Sequence, residues 1–481
     1  MISRDIPRLT IIILLCINIA LALYATPVTD CGDAGSYLQL SNKFLGEKIE
    51  LNMAHRSPLF SMLLALVIKT FGIPLAFKIA VYIQYCLVFA TSVIIYSLFK
   101  RMFRNPLLPF IISILFNLSF STIYFANILL TEILTIFLLF VSLHFLMKYF
   151  DKKKFIYLIL LGLSIGLLSL ARFNAIPLIF SFLILLYYIL FIEQRSSFKK
   201  GLISSIVFLI PYLFILNSWA FYNLNQNGFY GLLPGGGLLA SRNAIVASIS
   251  QANKVDQDYQ PVLDIFIKAR DAYSSLRIDD IKGSLSSNDK YGILNDLHSG
   301  YAVYMIAYPH LIKYFNLKET DGEFQMNNKL KRFYKEISRE NSSFIWKLRV
   351  YSLLNGFRAS ISGILPSIYG KVNLNILPPF IIKLNKLINF FISSFVFVAF
   401  FFFVLKLIKN HSKKPDFILL VLFTVVLSFW GINFIFATVS DANRFKFPAE
   451  PLIIGLFIYY VNALVQWIIN FKRSGTSLND A

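Results

Sequence analysis

Ten stretches of this chain are apolar over the length a helix needs to cross a bilayer, and no other feature narrows its fold as far. A crossing takes about 17–25 residues as α-helix. Runs at about 9–26, 76–99, 106–123, 128–147, 155–171, 174–192, 201–218, 387–406, 416–437 and 449–470 meet that length. With 57% hydrophobic and only 15% charged residues, much of the chain must lie in lipid rather than around one soluble core. The expected fold is an all-α polytopic membrane protein with about ten transmembrane helices. Residues 59–72 are apolar but short and interrupted by Lys69, which reads as a helix lying at the interface or dipping into it. The run after Arg4 and Arg8 is longer than a typical signal-peptide core and further spans follow, so it reads as an uncleaved anchor.

The basic residues orient these runs. Arg4 and Arg8 precede the first, and Lys100, Arg101 and Arg104 follow the second. Lys148 and Lys152 to Lys154, then Arg195, Lys199 and Lys200, then Lys406, Lys409, Lys413 and Lys414, and finally Lys472 and Arg473 complete the set. In a ten-span fold all of them fall on one side, which the positive-inside rule makes the cytoplasm, together with both termini. That clustering accounts for the formal net charge of +21 without a nucleic-acid partner. Cys16, Cys31 and Cys86 have no metal-ligand spacing, and two lie in apolar runs, which argues against a disulfide framework.

The opposite, extracytoplasmic side receives the loop 27–75, a tight turn at Tyr124-Phe125-Ala126-Asn127 leading to Thr131-Glu132, and a turn at Ala171-Arg172-Phe173-Asn174. It also receives the long segment 219–386 and the turn Asp441 to Lys446. The chain therefore divides into an N-terminal transmembrane module (1–218), a mainly helical extracytoplasmic subdomain (219–386) and C-terminal transmembrane helices (387–481). Helical periodicity in the subdomain shows at Val262, Ile265, Phe266 and Ala269, and at Leu330, Phe333, Tyr334 and Ile337. Its opening glycines, Gly228, Gly231 and Gly235 to Gly237, signal a loop; they lack the Lys-Ser/Thr of a phosphate-binding P-loop.

Carboxylates are scarce, 25 against 46 Lys and Arg, so two within Thr29-Asp30-Cys31-Gly32-Asp33-Ala34-Gly35-Ser36-Tyr37 need a reason. Asp33 and Tyr37 share a face if this stretch is helical. The plain alternative is that Asp33 or Asp30 caps the short helix. Glu132 opens the fourth span, where the helix dipole alone favours an acid. Arg172 is the one charge between residues 155 and 192, on the side that the positive-inside rule disfavours, and Arg56 and Arg444 are of the same kind. A guanidinium fork matches a phosphate; the alternative for each is snorkelling to headgroups. Together, acids and cations emerging on one face supply a base for a hydroxyl and charge for a departing phosphate.

The set of motifs resembles the type C membrane glycosyltransferases, nearest to the protein O-mannosyltransferase and lipid A aminoarabinose transferase group. Gly32-Asp33-Ala34-Gly35-Ser36-Tyr37-Leu38-Gln39-Leu40 is similar to that group's Asp-containing first outer loop. Arg56-Ser57-Pro58-Leu59-Phe60 resembles its Arg/Lys-x-Pro-Leu helix, and Leu130-Thr131-Glu132 its second-loop acid. Gly162 to Gly166 through Leu170-Ala171-Arg172-Phe173 resembles the Gly-rich span ending in Arg. Trp219 to Asn223 with Asn227-Gly228 resembles the opening of the outer domain, and Arg444-Phe445-Lys446-Phe447-Pro448-Ala449-Glu450-Pro451 the motif before the last span. The first outer loop carries Asp-Ala-Gly-Ser where the mannosyl- and aminoarabinosyltransferases carry an Asp-Glu pair.

The resemblance implies an inverting transfer of a hexosyl or pentosyl group from a polyprenyl-phosphate sugar to a glycan, lipid or protein acceptor; the expected location is a bacterial plasma membrane, with the site facing outside. Asp33 is then the general base, with Glu132 as the second catalytic carboxylate. Tyr37, Arg56, Arg172, Asn223, Arg444 and Lys446 are the implied substrate-binding residues, Arg172 and Arg444 for the donor phosphate and Arg56 as an orienting partner of Asp33 or Glu132. No cofactor is required; a divalent cation between Asp33 and Glu132 is the minor alternative. The rival class is a transporter or flippase of lipid-linked sugars, which would show internal repeats and broken helices meeting at the midplane. No such repeat is visible, and the charges gather at one face.

Overall fold

In lipid a backbone has to satisfy its own polar groups, and a helix does so within one segment. The computed structural model describes residues 2–28, 33–47, 56–233, 257–276, 307–317, 322–340, 379–409, 416–436 and 447–476, with 342, 346, 349 and 350. Among these residues regular structure is helical, with one isolated parallel bridge between Val28 and Ile128. The first half runs α1 (Ile2–Leu23), α2 (Ala34–Phe44), α3 (Pro58–Phe71), α4 (Ile73–Phe99), α5 (Leu107–Leu118), α6 (Phe120–Asn127), α7 (Glu132–Lys152) and α8 (Phe155–Ala171). A short 3-10 turn, Phe173–Ala175, leads to α9 (Leu178–Tyr187), which continues as a π-helical turn at Tyr188–Glu193 and is followed by α10 (Phe198–Asn227). Then come α11 (Gln260–Leu276), α12 (Tyr308–Tyr314), α13 (Gly322–Glu340), α14 (Pro379–Lys409), α15 (Phe417–Phe436) and α16 (Glu450–Thr476).

Each of the ten expected apolar runs is helical over most of its described residues. Among the described residues, five helical stretches are long and apolar enough to cross a membrane: Ile73–Phe99, Glu132–Lys152, Phe173–Glu193, Phe198–Asn227 and Phe447–Asn470. Counting α5 and α6 as one bent span makes six. Arg8–Leu23, Phe155–Ala171, Phe390–Lys406 and Phe417–Ile432 are apolar helices of shorter length. The 14 residues of α3 also fall short of a crossing; α3 ends at Gly72, whose φ of 73° turns the chain directly into α4.

Two boundaries differ from the sequence reading. The expected tight turn at 124–127 is the last turn of α6, which Ser119 caps by accepting from the Thr122 amide at 3.2 Å. Phe125 and Ala126 are buried there, so packing holds these residues in helix, and the chain turns at 128–131 instead. The expected boundary at 218/219 falls inside α10, which continues unbroken to Asn227. Trp219, Ala220 and Asn223 are buried against the bundle, and the αL conformation of Gly228 (φ 71°) ends the helix.

Within the bundle α7 and α8 form an antiparallel pair around Lys153 and Lys154, and α10 packs along α8. The α8–α10 approach is close because Gly162 and Gly166 face it: a Cβ on Gly162 would lie 2.2 Å from the Phe208 carbonyl oxygen. Small residues four apart permit this proximity where no hydrophobic effect drives helices together. Buried hydroxyls and amides add cross-links. Asn18 Nδ2 donates to Asn117 Oδ1 at 2.6 Å between α1 and α5, and Ser142 donates to Ser164 at 2.9 Å between α7 and α8. A separate small core joins α11, α12 and α13 through Val262, Leu263, Phe266, Leu311, Met326, Leu330 and Phe333.

Candidate active site

Asp33 sits at the N-cap position of α2, yet its side chain makes no capping hydrogen bond. Instead Asp33 Oδ1 accepts from Arg56 Nη2 at 2.7 Å. The two meet because α2 and α3 lock side by side. The Ser41 and Ser61 hydroxyls both donate to the Tyr37 carbonyl, at 2.7 and 2.9 Å, and the Tyr37 ring meets Phe60 edge-on at 5.8 Å. Pro58, at the first turn of α3, suits a helix start because it gives up an N–H that would be unpaired there. Arg56 lies just before that start, with its guanidinium 5.7 Å from the centre of the Tyr37 ring. The pair is open to water: Asp33 and Arg56 side chains are 27% and 24% exposed.

A second pair forms across the α7–α8 hairpin. At a rise of about 1.5 Å per residue these helices are about 31 and 26 Å long, so the start of α7 and the end of α8 come nearly level. Arg172 spans the difference, its Nη1 donating to Glu132 Oε1 at 3.2 Å. Here burial is deep: Glu132 is 0% and Arg172 11% exposed. A lone carboxylate at that depth would be costly, and the guanidinium together with the helix N-terminus compensates it.

Several contacts draw the surrounding chain ends to the same end of the bundle. The Val28 amide donates to the Asn127 carbonyl at 2.9 Å, and Gln84 Nε2 donates to the Ile128 carbonyl at 2.7 Å. Phe125 packs on Phe447, ring centres 4.8 Å apart, so the chain entering α16 also starts here. Lys43, in the last turn of α2, donates to Asn227 Oδ1 at 2.9 Å at the end of α10. At the other end of the bundle Arg101 grips Asp151 with both arms, at 3.1 and 2.6 Å, tying α4 to α7.

The sequence-derived residues thus separate into groups. Asp33, Tyr37 and Arg56 come together, and Glu132 and Arg172 come together, each carboxylate facing a guanidinium. Among the described residues no group of three His, Cys, Asp or Glu is placed to hold a metal ion. Asn223, expected at the substrate, is held by the protein's own groups. It is fully buried, with Nδ2 donating to the Gly231 carbonyl at 2.7 Å and Oδ1 accepting from Asn227 at 2.9 Å. Its amide braces the turn after α10. Arg444, Lys446 and Asp30 lie outside the described residues. Lys43 and Asn227 are not among the candidate site residues that the sequence singles out; the signal for Lys43 is the one that marks Arg172, a cation on the side expected to carry few.

Compared with known proteins, residues 55–219 match the dolichyl-phosphate-mannose-protein mannosyltransferase family. The match spans α3 to α10, including Arg56, Glu132 and Arg172, and supports the membrane glycosyltransferase superfamily that the motifs resemble. No curated protein and no solved structure matches the chain.

Proposed function

We propose that this integral membrane protein is a glycosyltransferase that moves a sugar from a polyprenyl-phosphate donor to an acceptor hydroxyl at the extracytoplasmic face, with Asp33 as general base. The difference in burial between the two carboxylates carries the assignment. Glu132 is sealed, whereas Asp33 is 27% exposed at the end of the bundle where the loops gather. A base has to come within hydrogen-bond reach of the hydroxyl it deprotonates, which Asp33 can do and Glu132 cannot.

In the transfer, the acceptor O–H gives its proton to Asp33 while its oxygen forms the new bond to the anomeric carbon. The bond from that carbon to the donor phosphate breaks, its electron pair leaves with the phosphate, and the configuration inverts. Arg56 holds the Asp33 carboxylate in one orientation. Glu132 holds the Arg172 guanidinium, whose charge would stabilise the departing phosphate, with Arg444 and Lys446 as further candidates on the chain entering α16. In this reading guanidinium groups supply the positive charge beside both carboxylates, so no divalent cation is needed.

The test is transfer by purified, reconstituted protein from a labelled polyprenyl-phosphate mannose. Asp33→Asn should lower turnover by roughly 10²–10⁴-fold, the usual contribution of a general base, with expression and thermal stability retained. Full activity in that variant would remove Asp33 from the mechanism.

A further inference from the structure

Helix α2 is one rod of 11 residues, with Asp33 at its leading end and Lys43 in its last turn. From Lys43 a hydrogen-bonded chain runs outward in one direction. Lys43 Nζ donates to Asn227 Oδ1 at 2.9 Å, Asn227 Nδ2 donates to Asn223 Oδ1 at 2.9 Å, and Asn223 Nδ2 donates to the Gly231 carbonyl at 2.7 Å. Both ends fix the polarity, since an ammonium only donates and a carbonyl only accepts. Each amide is therefore polarised by the donor before it, and the cation heads the series. The chain ends in the turn after α10, which Trp219 Nε1 also holds through the Leu232 carbonyl at 3.2 Å. Phe229 in the same turn stacks on Phe324 of α13, ring centres 5.1 Å apart.

Packing alone gives no reason for an ammonium here. Beside Lys43, Phe44 meets Tyr222 at 5.7 Å, and Tyr222 stacks on Trp219 at 4.8 Å, surroundings that an apolar side chain would fit. Burial pushes the Lys43 pKa below its ordinary value. The hydrogen bond to Asn227 is what an apolar replacement would lose.

We propose that Lys43, Asn227 and Asn223 are positioning residues, forming a relay that sets α2 against the turn after α10 and thereby fixes where Asp33 stands. The relay joins the element that carries the base to the element that opens the segment beyond α10. Its catalytic consequence rests on the glycosyltransferase reading above; the mechanical coupling does not.

The test uses the full-length, reconstituted protein with Lys43→Met, Lys43→Arg, Asn227→Leu and the double variant Lys43→Met/Asn227→Leu. A small displacement of a reacting group lowers turnover by roughly 10- to 100-fold, so Lys43→Met should lose kcat on that scale while KM for the donor changes less than about twofold. Its Tm should change little, because the lost hydrogen bond and the relieved desolvation of the charge oppose each other, and Lys43→Arg should restore most of the lost kcat. The double variant should be no worse than the poorer single one, as expected for one connected unit. Amide hydrogen exchange in Lys43→Met should quicken together in 34–44 and 228–233, an effect read without any substrate. Unchanged kcat and exchange in Lys43→Met, a loss of activity that only tracks a falling Tm, or multiplying losses in the double variant would each overturn the relay. A fully active Asp33→Asn would instead sink the catalytic reading and leave the exchange coupling standing.

Discussion

Glu132 and Arg172 show what burial does to a charged pair. With Glu132 0% and Arg172 11% exposed, removing one partner strands the other at a depth where water cannot compensate it. Glu132→Leu or Arg172→Leu should each destabilise the protein by about 3–5 kcal/mol, whereas the double Leu variant should recover much of that loss. Thermal or denaturant unfolding in detergent measures it, and a double variant as unstable as the sum of the singles would contradict the pairing. Both residues stand out in the sequence as rare charges beside apolar runs. Their partnership does not, because it depends on how long α7 and α8 are and where the turn at 153–154 lies. Asp33 illustrates the converse. Its position before a short helix fits a cap, and only the docking of α2 on α3 turns its carboxylate to Arg56.

Among the elements, the α8–α10 contact leaves no room for a side chain at Gly162. A Cβ on Gly162 would stand 2.2 Å from the Phe208 carbonyl oxygen and 2.7 Å from Pro211 Cγ. The first neighbour is backbone, and Phe208 is fully buried, so rotating a side chain cannot relieve the clash. Gly162→Leu should therefore cost at least about 1–3 kcal/mol, the range for overpacking a filled interior, and it should also reduce activity because α8 ends in Arg172. Gly35, with nothing within 4 Å of an added Cβ, provides the control: Gly35→Ala should leave Tm level or raise it slightly, since Ala favours helix over Gly. The helices themselves were legible from their apolar runs, and α3 from its shortness and Lys69. Their ends were less so. The sequence places α6 in a turn and stops α10 at 218, because composition near an interface shifts gradually. What extends each helix is the burial of particular residues, Phe125 and Ala126 in one, Trp219 and Asn223 in the other.

For the whole molecule, the alternation of basic clusters makes a claim that connectivity can test. The clusters at Lys100 to Arg104 and Lys152 to Lys154 lie at the opposite end of α4 and α7 from Asp33, Arg56, Glu132 and Arg172. The positive-inside rule would assign that basic end to the cytoplasm and both ion pairs of the candidate site to the outside, as the proposed function requires. Two exposed positions report the two ends, Glu47 beyond α2 and Lys154 between α7 and α8. In a background with Cys16, Cys31 and Cys86 changed to Ser, Glu47→Cys should react with a membrane-impermeant maleimide in intact cells. Lys154→Cys should react only after the membrane is opened. Labelling in the reverse order would turn the bundle over, placing Asp33 and Arg172 on the cytoplasmic side, and would remove the extracytoplasmic donor geometry on which the proposed reaction depends. Labelling of both sites from outside would mean that α4 and α7 do not each cross once, because their two ends would then share a compartment.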